Sequence, residues 1–164
     1  MPINNLGTYL NDHIAGSVVA LEMMEHLEKV HANTPVGHEL AEIRAEIASD
    51  RQELESFMAR RAISTSPPRK VMAWLSEKLA EIKFRWDDRA AGPLHSLEAL
   101  EALALGIDGK KALWHALETA HVSGIGTADL QRLIHRAEDQ RARMESLRLR
   151  AAEAALQDGN ETTN

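Results

Sequence analysis

The chain has no cysteine, few aromatic residues and no long apolar run, and each absence removes a class of answer. Without thiols there can be no disulfide, no thiolate nucleophile and no zinc site with cysteine ligands. Aromatics supply only 4% of the 164 residues while Ala, Leu and Glu are abundant, a balance that favours helices. No apolar stretch approaches the roughly 20 residues that span a bilayer, and no membrane association is expected. Met1-Pro2-Ile3-Asn4-Asn5 has neither the basic start nor the apolar stretch of a secretory signal, so the expected location is the cytoplasm. The net charge of −6 argues against general nucleic-acid binding, whose footprint is basic. A glycine-rich phosphate loop, a nucleophile elbow and a Ser/His/Asp signature are all missing as well. No catalytic residue is assigned, no cofactor is expected, and the chain reads as non-enzymatic.

What is present is helix. Apolar residues make up 44% and charged residues 27%, the balance of one globular domain, expected over 1–157 with a polar tail at 158–164. Abundant Ala, Leu and Glu lose little side-chain freedom in a helix. Pro2, Pro35, Pro67, Pro68 and Pro93 all fall between periodic segments, where a missing backbone N–H costs nothing. Thr34-Pro35 and Ser66-Pro67 read as a cap followed by a first helical residue, Gly92-Pro93 reads similarly, and Thr127 is expected to cap the last segment. Helices are therefore expected near 6–32, 35–63, 67–90, 93–122 and 127–157. Each carries an apolar stripe, such as Leu10, Ile14, Ser17, Leu21 and Met24 in the first. Short connections make neighbours antiparallel, giving an all-α, up-down bundle of about five helices. Ile107, Lys111, Trp114 and Glu118 keep register across Asp108-Gly109, so the fourth helix is read as unbroken. Gly106 and Gly109 are read as permitting close approach of a neighbouring helix.

Three stripes contain a charge where an apolar residue belongs. Asp50 sits between Ile47 and Leu54, Lys111 between Ile107 and Trp114, and Arg141 between Ala137 and Met144. Asp50 and Arg141 each lie about 21 Å along their helices, so they share a level. An unpaired buried charge costs several kcal/mol, and Arg141 is the expected partner of Asp50. Three readings follow: cations that snorkel to solvent, a structural ion pair, or a charge cluster lining a pocket for a small anion or carboxylate. A second grouping, Arg60, Arg61, Arg69 and Lys70, surrounds Ser64-Thr65-Ser66-Pro67-Pro68. Arg69 and Lys70 sit against the dipole of a helix start, which would suit an acidic partner.

Long helices with Glu-x-x-His pairs, here Glu28–His31 and Glu118–His121, resemble the ferritin-like superfamily over residues 6–122. The resemblance implies a ferritin-like core and a di-metal carboxylate centre serving an oxidoreductase or storage role. The spacing itself points elsewhere. Both pairs close their helices, and those helices should be antiparallel, which puts the pairs roughly 25–35 Å apart. His31 and His121 are then helix-end residues near exposed carbonyls, and no metal site is expected. The first functional expectation is protein–protein association, with a homodimer or a protein partner. A ferritin-like metal protein and a small-ligand binder using the mid-bundle charges are the alternatives.

Overall fold

Asn4 and Thr34 start the first two helices by the same device. Each side-chain oxygen accepts a hydrogen bond from a backbone N–H three residues on, Gly7 at 2.9 Å and Gly37 at 3.1 Å. Each bond satisfies an amide that the helix cannot pair internally. The computed structural model describes residues 4–65 and 92–157, together with the helical positions Ala73, Ser76, Glu77 and Ala80. Among them run α1 (Asn5–Val30), α2 (Pro35–Arg60), α3 (Gly92–Thr119) and α4 (Thr127–Leu156), and no strand. The remainder of the helix expected at 67–90 lies outside the described residues, as do Arg69, Lys70 and the tail at 158–164.

Two expected boundaries shift by three residues. The second helix closes at Arg60 because Ala62 turns to φ 52°, and the fourth expected helix closes at Thr119 because His121 turns to φ 49°. Thr127 is the first residue of α4 and not its cap; Gly126 holds the cap position without a side-chain bond. Helix α3 passes through Asp108-Gly109 unbroken.

The tight turn between α1 and α2 depends on Gly37. A Cβ there would lie 2.2 Å from the His31 carbonyl oxygen, so no larger residue fits. At the α3–α4 turn Gly124 takes φ 96°, a backbone conformation in which glycine carries no steric penalty.

Packing fixes the helix directions. Leu10, Phe57, Leu117 and Leu130 share one apolar cluster; Leu27, Leu40, Leu100 and Leu147 belong to the other. Helices α1 and α4 therefore run one way, and α2 and α3 the other. Helix α1 packs on α2 and α3, α3 packs most extensively on α4, and α2 meets α4 only sparsely. Long ion pairs span that last seam. Arg143 reaches Glu39 and, at 2.7 Å, Glu46, while Arg132 grips both oxygens of Glu53 at 2.6 and 3.1 Å.

The two clusters are stacked along the bundle, and the chain changes from one to the other at a single level. On α2 the change falls between Ile47 and Leu54, on α3 between Ile107 and Leu113, and on α4 between Ala137 and Met144. On α1 it falls between Ile14 and Ala20.

Candidate functional site

Each helix places a polar residue in that gap: Ser17 on α1, Asp50 on α2, Lys110 on α3 and Gln140 on α4. Asp50 and Gln140 are buried at 1% and 0% exposure, and the Lys110 side chain is 15% exposed. Burial of these groups is tolerable only because they satisfy one another. The Lys110 ammonium donates to Asp50 Oδ2 and to Gln140 Oε1. Gln140 Nε2 donates to Asp50 Oδ2 at 3.2 Å. Arg136 Nη2 pairs with Asp50 Oδ1 and donates to Glu53 Oε1 at 2.8 Å. Two cations thus face one buried carboxylate, and Arg136 links the layer to the outer Glu53–Arg132 pair.

Electrostatics follow from this geometry. Desolvation pushes the Lys110 ammonium below its ordinary value, helped by the nearby Arg136 charge and opposed by Asp50. The hydrogen bond from Arg132 holds the Glu53 carboxyl below the usual carboxylate range, against some desolvation.

Beside the layer, between α1, α2 and α3, lies a cavity of about 240 Å³. Asp50 and Lys110 form its polar wall, with Ser17 and His13 from α1. Burial pushes the His13 imidazole below its ordinary value, against the pull of Asp12. Gly16, Gly106 and Gly109 border the same space, and a Cβ built on any of them would meet nothing within 4 Å among the described residues. Among the described residues the glycines of α3 leave room, and no part of α1, α2 or α4 approaches Gly106 or Gly109 closely. Trp114, 1% exposed, closes one side of the cavity and also borders a wider cleft between α2 and α4. Its indole N–H has no hydrogen-bond partner among the described residues.

No family model, curated protein or solved structure matches this chain.

Of the three charges expected at one level, only Asp50 lies in the layer. Lys111 and Arg141 are a correction: both meet Asp108 on the outer surface, at 3.9 and 3.1 Å, and Arg141 also pairs with Glu145 at 2.9 Å. Arg148 and Arg141 together hold the Glu145 carboxyl down to about 2. The residues that do meet Asp50 are each one position earlier, Lys110 and Gln140, with Arg136 one turn before Gln140. Neighbouring helix positions differ by 100°, which is enough to exchange the seam for the surface.

The Glu-x-x-His pairs occupy opposite ends of the bundle. Glu28 pairs with Arg44 at 2.7 Å, and Glu118 accepts from Gln131. Among the described residues no group of three or more His, Asp or Glu side chains could hold a metal ion, so these residues do not fit a di-metal centre. His31 ends α1, where its carbonyl accepts from the Thr34 hydroxyl at 2.7 Å. Arg60 and Arg61 are exposed at the end of α2, and Arg61 reaches Ser123 in the α3–α4 turn.

Proposed function

We propose that this protein binds a small molecule inside its helical bundle. The observation that carries the reading is the glycine-bordered cavity at the polar layer. A mid-helix glycine costs about 0.5–1 kcal/mol relative to alanine, and here three of them border one cavity, with Gly16 and Gly106 exposed at its mouth and no described residue within 4 Å of any added Cβ. A cavity of roughly 150 Å³ holds a benzene ring, so about 240 Å³ accommodates a ring-sized body with a small head group. Polar groups few in number on a largely apolar wall are the usual make-up of a ligand site.

The test uses toluene, indole and benzoate as probes, with binding followed by ligand-observed NMR. Wild-type protein should bind at least one of them saturably. Gly106→Leu, which places a side chain into open space, should lose that binding while keeping its helical signal. No saturable binding, or equal binding to both proteins, overturns the proposal.

Self-association is the second reading. Leu105 on α3, and Leu149 and Leu156 on α4, stand at 73%, 54% and 64% exposure on the two helices that pack most extensively together. Light scattering over a concentration series tests it: a constant monomer mass excludes the homodimer.

A further inference from the structure

The head group of the occupant can be argued from the hydrogen-bond inventory of the cavity wall, and this step rests on the small-molecule reading above. A lysine ammonium has three N–H donors. Asp50 and Gln140 take two of those on Lys110, and the third has no partner among the described residues. The acceptors of the polar layer itself are already engaged in hydrogen bonds or ion pairs. Lys110 and Gln140 donate to one Asp50 oxygen, Arg136 pairs with the other, and the Gln140 carbonyl takes a bond from Lys110. The Ser17 hydroxyl spends its hydrogen on the Ile14 carbonyl at 2.6 Å.

Arg136 divides its charge between Asp50 and Glu53, which leaves Lys110 as the cation that faces the cavity, and the cavity's other carboxylate, Asp12, lies at its exposed rim. Arg51, also on the cavity wall, is paired with Glu55 at 2.9 Å. Most of the remaining surface is aliphatic, from Ala20, Ile47, Leu54, Leu103, Ile107 and Leu113. We infer that the cavity takes a small monocarboxylate, with its apolar body against these side chains and its carboxylate on the free N–H of Lys110. The bound anion then offsets the desolvation that disfavours the ammonium.

Calorimetric titration with four molecules of one shape tests the assignment: benzoate, benzamide, benzyl alcohol and benzylamine. Benzoate should bind at least about tenfold more tightly than the amide or the alcohol, the gain of a charge-assisted hydrogen bond over a neutral one. Lys110→Met should abolish that preference, and Lys111→Met, one residue away on the surface, should keep it. If Lys110→Met fails to fold, the ranking on wild-type protein decides alone. Equal affinity for all four leaves small-molecule binding standing and overturns the carboxylate assignment. Preference for benzylamine also overturns it, because Asp50 would then be the recognising group. Failure of all four to bind overturns the assignment; if toluene and indole fail as well, the small-molecule reading falls with it.

Discussion

Replacing Asp50 by alanine should unfold this protein more readily than any loss of contact area would suggest. Asp50 is 1% exposed, and its carboxylate is the only anion within bonding distance of Lys110 among the described residues. Arg136 loses little in the variant, since its guanidinium is also paired with Glu53 at 2.8 Å. Lys110 is left as a buried cation with only a neutral Gln140 carbonyl for company. Breaking a buried pair in this way costs about 3–5 kcal/mol. Urea denaturation followed by far-UV circular dichroism measures it. The double variant Asp50→Leu/Lys110→Met, which removes both charges and supplies apolar volume, should cost far less than Asp50→Ala alone. The penalty should also depend on pH, and its sign is fixed. Without Asp50 the largest influence raising the Lys110 pKa is gone, so the folded value falls further below the ordinary 10.5. In that window the unfolded chain binds the proton and the folded one releases it, and stability rises with pH. The deficit of Asp50→Ala relative to wild type should therefore shrink as pH climbs toward 10.5. A loss within the 0–1 kcal/mol typical of surface pairs would refute the buried layer. So would a double variant that costs the sum of its parts.

Three further outcomes are expected. Gly16→Ala and Gly106→Ala should each raise stability by about 0.5–1 kcal/mol, because the added Cβ meets nothing among the described residues. Gly37→Ala should lower the melting temperature, because its Cβ would collide with the His31 carbonyl; calorimetry on the three variants separates the two kinds of glycine. Desolvation lowers the pKa of His13 and His31 from 6.5, so the stability they contribute is complete above 6.5 and is lost as pH falls toward their folded values. Urea midpoints for wild type and His13→Asn should diverge above that pH and converge below it. Arg143 faces Glu39, Glu42, Glu46 and Asp139, and Arg143→Ala should cost about 1–2 kcal/mol at low ionic strength. Added salt should recover part of that loss, since it screens the carboxylates left facing one another.

The helices were legible because their punctuation is chemical and local. Pro35 behind Thr34 marks a start that the structure reproduces, with the Thr34 oxygen on the Gly37 amide. Asp50 was legible too, since 40, 43, 47, 50, 54 and 57 alternate steps of three and four, the spacing that keeps one face on a helical seam. On α4 the reading went from Ala137 to Arg141, a step of four where alternation calls for three, and it missed Gln140. On α3 the apolar face is wide, with Leu103, Ala104 and Ile107 all buried, so either lysine of Lys110-Lys111 fits a helical period. Only the partner helices decide between them. Strict alternation through Leu100, Leu103, Ile107, Trp114 and Leu117 selects Lys110, and that signal was available. The glycines were legible as unusual but not in their role, because sequence cannot tell whether the space over a missing Cβ is occupied.

A polar layer inside a bundle has an ordinary explanation: it can fix helix register, since a slip of one turn would leave each charge without its partner. That account explains Asp50, Lys110 and Gln140, but it predicts a layer closed on itself. Register needs no open space, and alanine at positions 16, 106 and 109 would hold the helices more firmly while leaving every bond of the layer in place. The cavity, the three glycines and the Lys110 N–H left without a partner among the described residues are thus unexplained by register alone. They occur at the same level and on the same wall as the layer. When several rules of stable packing are broken at one place, and kept along the rest of the same helices, the place is where function competes with stability. The two accounts separate on Gly106→Leu. A register device tolerates that side chain without consequence, whereas a binding cavity is emptied of its ligand by it.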